Sequence, residues 1–205
     1  MHLSTQQKKF LNELKNQTSD NHAALEDKPA SRAILSGKVT VAQYQYYLVA
    51  LYSLIKTFEI DLFPLLHPVV SDLDARKKSH LIANDLLSTG YPSDQLETIP
   101  ATDLRFAEMP EALGLMYVLE GSTLGGRILY KHVHETLGLD HTSGASYFAG
   151  YGANTGIMWT TFTSTLSTLA TEGRIEKRII DAANEAFTLI EGKMTTANNG
   201  DDGEN

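Results

Sequence analysis

The strongest constraint on this chain is a cluster of glycines inside a segment otherwise patterned as a helix. From Tyr117 to Arg127 it reads Tyr-Val-Leu-Glu-Gly-Ser-Thr-Leu-Gly-Gly-Arg. Leu113, Met116, Tyr117, Leu119, Leu124 and Ile128 recur at helical spacing around it. An interior glycine costs a helix about 1 kcal/mol relative to alanine, so Gly121, Gly125 and Gly126 together weaken it by roughly 3 kcal/mol. Gly121 and Gly125 lie one turn apart and share a face bare of side chains, while Gly126 adds freedom to bend. Two arrangements make use of such a face. Either another helix packs closely on the backbone, or a kinked helix lies against a flat ligand.

The rest of the chain predicts a single all-α domain. Its 205 residues suffice for one domain with a substantial core. With only six prolines and few β-branched runs, helices are favoured over strands. A first helix is expected from Thr5 to Glu26, with Phe10, Leu11, Leu14, Thr18, His22 and Leu25 along one stripe. A short piece from Ser31 to Leu35 follows, closed by Gly37. Thr40 and Gln43 form a capping box that opens a central helix over Val41 to Leu62, stopped by Pro64 and Pro68. Another helix runs from Ser71 or Asp72 to Thr89-Gly90. Tyr91 to Pro100 reads as a loop with one helical turn, and a second short turn falls near Asp103 to Ala107.

The glycine-bearing helix spans Pro110 to Leu137, with Gly138 as its stop. His141 to Gly156 mixes glycines with Tyr147, Phe148 and Tyr151, the pattern of an ordered loop or broken helix against the core. Helices follow over Ile157 to Ala170 and Arg174 to Lys193. The domain therefore covers 1–194, and the polar segment from Thr195 to Asn205 reads as a disordered tail.

Composition narrows the function classes. A formal net charge of -8 argues against a nucleic-acid partner. No apolar run is long enough to span a membrane. The N-terminus is polar and leads into an amphipathic helix, unlike a signal peptide, so a cytoplasmic protein is expected. The chain has no cysteine, which removes disulfides, thiolate ligands and cysteine nucleophiles.

Among the seven histidines, His22 stands out because Glu26 follows one helical turn later. A carboxylate that accepts from Nδ1–H fixes the imidazole tautomer and leaves Nε2 as a metal ligand. An ordinary His–Glu pair on a helix is the alternative, and spacing alone leaves both open.

Three segments carry a family resemblance. Leu14-Lys-Asn-Gln-Thr-Ser-Asp-Asn-His-Ala-Ala-Leu-Glu26 resembles the proximal helix of haem oxygenases, where a Lys and a Thr precede the ligand His and a Glu follows it by four. Glu120-Gly-Ser-Thr-Leu-Gly-Gly-Arg127 resembles their distal helix. Tyr147-Phe-Ala-Gly-Tyr-Gly-Ala-Asn-Thr-Gly-Ile-Met-Trp159 is similar to the bacterial branch encoded beside bacteriophytochromes. The resemblance spans roughly Leu11 to Phe162. It implies a helical bundle with haem b, both cofactor and substrate, held between the first helix and the kinked glycine helix. His22 would ligate iron, oriented by Glu26, with Thr18 nearby. Gly121, Ser122, Gly125 and Gly126 would form the distal wall, where dioxygen binds. Lys15, Arg127, Tyr117 and Tyr151 are the candidates to meet the haem propionates.

The implied reaction opens the ring to biliverdin, carbon monoxide and ferrous iron. It consumes O2 and electrons from an external reductant such as a ferredoxin or a reductase, and the bilin would serve a bacteriophytochrome. The chain departs from the family pattern twice. Ser122 stands where many members carry an Asp that orders distal water, and no Lys or Arg occurs between Lys131 and Arg174 to meet propionates from a late helix. The rival of a different class is a haem-binding or storage protein on the same fold without turnover. A di-iron enzyme is disfavoured, since paired Glu-x-x-His motifs are missing.

Overall fold

Local chemistry fixes where the first helices begin. The structure, a computed structural model, describes residues 3–104 and 108–195. Ser4 accepts a hydrogen bond from the Gln7 amide and Gln7 answers with its side chain, a capping box that starts α1 (Thr5–Glu26) at the expected residue. The same exchange between Thr40 and Gln43 starts α3 (Val41–Thr57). Between them lies α2 (Pro29–Leu35), which begins two residues earlier than expected because Pro29 occupies its first turn, where a missing N–H is harmless.

The central helix departs from expectation at its end. It gives way after Thr57 to a π turn over Phe58–Leu62, followed by α4 (Phe63–Leu66). Pro64 has no N–H and its ring crowds the carbonyl four residues back, so the α ladder cannot run straight through. The wider turn aims Glu59 inward. Its carboxylate accepts from the backbone of Lys78 at 2.5 Å and of Ser79 at 2.9 Å, at the start of α5 (Ser79–Ser88).

The single helix expected from residue 71 or 72 to 89 is accordingly broken. A 3-10 turn covers Leu73–Arg76, Lys77 is extended, and α5 then runs to a stop at Gly90, whose φ is +87°. The helical turn expected after Tyr91 is α6 (Ser93–Thr98). The turn expected near Asp103–Ala107 falls mostly outside the described residues.

The glycine helix is α7 (Met109–Leu137), which passes through Gly121, Gly125 and Gly126 without interruption and ends at Gly138 in the left-handed region. The aromatic loop contains α8 (Ser146–Ala149) and a 3-10 turn, Gly152–Asn154. Of the last two helices, α9 (Thr155–Gly173) is longer than expected at both ends, and α10 (Glu176–Thr195) has the expected length but starts and ends two residues later. The segment expected to be a disordered tail lies, from residue 196 on, outside the described residues. No helix among the described residues is long and apolar enough to cross a membrane.

Helix α7 is the axis of the bundle. It packs on α10, α9 and α8, and α1 in turn rests on α9 and α10. Thus α1 and α7 face each other across a gap. The close approach of α7 and α10 depends on Gly114. A Cβ there would stand 2.6 Å from the Ile179 carbonyl oxygen and 2.7 Å from the Ala182 Cβ. Small residues on α10, Ala182, Ala183 and Ala186, meet this face of α7 and are buried. Gly114→Ala gains about 1 kcal/mol in helix propensity, but the methyl would strike backbone that cannot turn aside. A net loss of about 1–3 kcal/mol is expected from overpacking. The urea midpoint should fall with the slope unchanged; an equal or higher midpoint would show that α7 and α10 can separate freely.

Candidate functional site

The gap between α1 and α7 is a cavity of about 460 Å³, within the range of small-molecule sites. From α1 come Lys15, Thr18, Ser19, His22 and Leu25; from α7, Tyr117, Val118, Gly121, Ser122 and Gly126 among others. Tyr47 and Leu51 of α3, Tyr147 and Phe148 of α8, Trp159 of α9, and Phe187 and Ile190 of α10 close the remaining sides.

On the α1 wall, Thr18 is buried and donates to the Leu14 carbonyl at 2.8 Å. It also meets the Tyr117 phenol across the gap. Burial pushes the Tyr117 hydroxyl up, and the hydrogen bond with Thr18 partly opposes the rise. The His22 ring stands edge-on to Phe187, with centroids 5.8 Å apart. Its Nδ1 lies 3.7 Å from the Glu26 carboxylate, and both side chains are more than half exposed, at 58% and 64%. That separation is too long for a hydrogen bond. The orienting contact expected of Glu26 is therefore not closed, because Glu26 is the last residue of α1 and its side chain is free in solvent. Lys15 is the one basic side chain other than His22 on the wall, among the described residues.

On the α7 wall each glycine has a different neighbour. A Cβ at Gly121 would meet the Trp159 ring at 3.6 Å, an ordinary contact. At Gly126 it would stand 3.1 Å from the Phe148 carbonyl oxygen, so close packing against α8 is the role found there. At Gly125 it would meet nothing within 4 Å, and Gly125 is exposed beside the cavity wall rather than part of it. The Ser122 hydroxyl donates to the Leu119 carbonyl at 2.7 Å. Bonds of this kind, from a helical serine back into its own helix, leave the oxygen lone pairs as its outward face.

The opposite face of α7 carries a buried ion cluster. Glu120 is 2% exposed. One of its oxygens accepts from Lys78 Nζ at 2.5 Å and from the Tyr151 hydroxyl at 2.7 Å; the other pairs with the Arg76 guanidinium. Arg76 in turn grips Asp72 through two hydrogen bonds of 2.8 Å and donates to the Met158 carbonyl. Burial pulls the Lys78 ammonium below the ordinary lysine range, and Glu120 beside it holds against that fall. The break before α5 turns both Arg76 and Lys78 inward to this carboxylate.

The structure thus brings Lys15, Thr18, His22, Tyr117, Gly121, Ser122 and Gly126 to one cavity. It leaves Glu26, Gly125, Arg127 and Tyr151 off the wall. Arg127 is exposed on the outer side of α7. Tyr151 does not face the cavity because its hydroxyl is committed to Glu120 and Lys78. Sequence reasoning missed Tyr47 and Tyr147 on the cavity, and the Arg76–Lys78–Glu120 cluster behind it. The signal for the cluster was a lone acid, Glu120, in an otherwise apolar stretch of α7; the basic run at 76–78 resembles an ordinary solvated surface.

Comparison with known proteins agrees with this architecture. The heme oxygenase from Leptospira interrogans superposes with a TM-score of 0.77 at 18% identity, covering 91% of this chain and 98% of that one. The heme oxygenase-1 of the cyanobacterium Synechocystis, solved in complex with heme, gives 0.73 at 19% identity and covers 90% of each chain. The NO- and CO-bound heme oxygenase from Neisseria meningitidis gives 0.70 at 22%, covering 92% and 94%. At these identities the likeness is one of fold. No curated protein sequence matches the chain. A family model described as heme oxygenase, however, matches residues 8–194, from the first turn of the wall that carries His22 to the end of α10. With nearly the whole chain inside that match, the chain belongs to the haem oxygenase family of enzymes.

Proposed function

We propose that this chain binds haem b in the α1–α7 cavity and cleaves it to biliverdin, carbon monoxide and ferrous iron, using O2 and electrons from an external donor such as a ferredoxin or reductase. A bacteriophytochrome is the proposed recipient of the bilin. The observation that carries this reading is an imidazole, His22, on one wall opposite side-chain-free backbone, Gly121, on the other. The residues present fit the group. Leu25, Leu51, Val118, Phe148 and Phe187 supply apolar surface for a flat macrocycle, and Lys15 offers a cation to a carboxylate.

When bound, haem supplies both the iron that activates dioxygen and the ring carbon that is attacked. His22 acts as the neutral imidazole ligand. Glu26, 3.7 Å from Nδ1, is the residue that would hold that tautomer once at hydrogen-bond distance. Lys15 pairs with a propionate. Tyr117, tied to Thr18, fixes the separation of the two walls beside it. Gly121 leaves open the space in which a diatomic ligand stands, and Ser122 accepts a hydrogen bond from water there.

Titration with hemin, followed by ascorbate and catalase under air, tests the reading. A Soret band that forms stoichiometrically and then decays into bilin absorption is expected. A stable Soret band that only cycles between ferric and ferrous forms would favour the storage protein, to which Ser122 in place of an acid lends weight. If no Soret band forms, every haem reading of the cavity fails.

A further inference from the structure

Two phenols on the cavity wall have no part in the function proposed so far. Tyr47 of α3 and Tyr147 of α8 both line the cavity, as does Ser122 of α7. The Phe148 ring packs against both, with centroids 5.8 Å from Tyr47 and 5.4 Å from Tyr147. Tyr147 is held in place from its backbone. The buried carboxylate of Asp85 accepts from the amides of Ser146 and Tyr147, both at 2.8 Å, and from the Ser146 hydroxyl at 2.7 Å. Tyr44 secures the preceding turn by donating to the Gly144 carbonyl at 2.8 Å.

The hydroxyls themselves are under-used. The Tyr47 hydroxyl has no hydrogen bond to another described residue, yet it is not sealed by protein, so its open side is the cavity. The polar neighbour of the Tyr147 hydroxyl is Ser122. Burial pushes the Tyr47 phenol up to about 12 and Tyr147 higher still, so both keep their protons at neutral pH. Ser122 has given its own proton to the Leu119 carbonyl and can only accept. A phenylalanine would supply the same apolar packing at either position without leaving a polar oxygen in an apolar pocket, which is unfavourable unless the oxygen finds a partner.

We infer that Tyr47 and Tyr147 are the hydrogen-bond donors of this cavity toward a small oxygen-bearing ligand or water beside Gly121, the Tyr147 hydroxyl turning from Ser122 to the ligand because a phenol has one proton to give. The inference rests on the haem reading above. The phenols donate hydrogen bonds and keep their protons throughout. The distal polarity of this chain then comes from two neutral hydroxyls and a serine rather than from a charged carboxylate.

The test uses the haem-loaded full chain with Tyr47→Phe, Tyr147→Phe and the double variant. The readout is the C–O stretching frequency of the ferrous carbon monoxide complex, in H2O and D2O. A donor to the bound ligand lowers that frequency, so each variant should raise it, and the double variant should lose the D2O shift. Ring opening in the double variant should slow by about 10²-fold, the lower range for loss of a positioned hydrogen-bond donor. Hemin affinity should stay within a few-fold, which separates lost donation from lost binding. If the Soret complex forms in every protein but the stretch and its D2O shift stay unchanged, the inference is overturned while the haem reading stands. If unmodified protein forms no Soret complex, the haem reading itself has failed. Should Tyr147→Phe not fold, Tyr47→Phe gives the same readout alone.

Discussion

His22→Ala is expected to abolish the imidazole-ligated haem spectrum while leaving the helix content intact. His22 is the one imidazole on the cavity wall among the described residues, so no second histidine stands ready to replace it. Alanine is the best helix former, so the substitution favours α1 locally. Removing even an outer-shell partner of a metal ligand typically costs about 10–100-fold in affinity, and removing the ligand itself should cost more. Glu26→Gln makes the comparison. At 3.7 Å and in solvent, its loss should cost about tenfold or less, seen as a weaker iron–imidazole stretch. An unaltered ferric spectrum in His22→Ala would move the ligand elsewhere.

The second large effect is one of stability. Glu120→Ala would leave Arg76 and Lys78, 2% and 5% exposed, without the carboxylate that holds them both. Breaking a buried ion pair by removing one partner costs about 3–5 kcal/mol, because the charge left behind is uncompensated. For a chain of this size that lowers the melting temperature by about 6–20 °C. Glu120→Gln keeps the shape and part of the hydrogen bonding, and should fall between the two. The stability is measured by thermal and urea unfolding of the haem-free protein, which separates it from any effect on haem. A loss in Glu120→Ala under about 1 kcal/mol, the value of an exposed pair, would mean that water reaches the cluster.

Sequence legibility followed the range of the interaction that decides each element. Ser4 with Gln7, Thr40 with Gln43, and Gly138 act within one turn, and the helix ends they set were legible to the residue. The break between the 3-10 turn and α5 was not. It is set by Glu59 and Glu120, which are 19 and 42 residues from Lys78 in the chain. The glycines show the same divide. Gly121 was readable as a bare face, yet among the α7 glycines the closest neighbour stands at Gly114, an inconspicuous glycine in an apolar run. What a glycine is for depends on what crosses it. Tyr151 lay in a readable motif but on an element that passes from one side of α7 to the other, so its hydroxyl met Glu120 instead of the cavity.

The two walls of the cavity also differ in how they can respond to what enters between them. At Gly121 the α7 wall is backbone, which has no rotamers to change, and the next residue back along the chain is locked to two cations and a phenol. The α1 wall carries Lys15, His22 and a neighbouring Glu26 on long or half-exposed side chains, while α1 itself packs on α9 and α10 and buries Phe10 and Leu14. The cavity therefore has backbone on one side and movable side chains on the other. Adjustment to what enters falls first to the side chains of α1, which have rotamers to change.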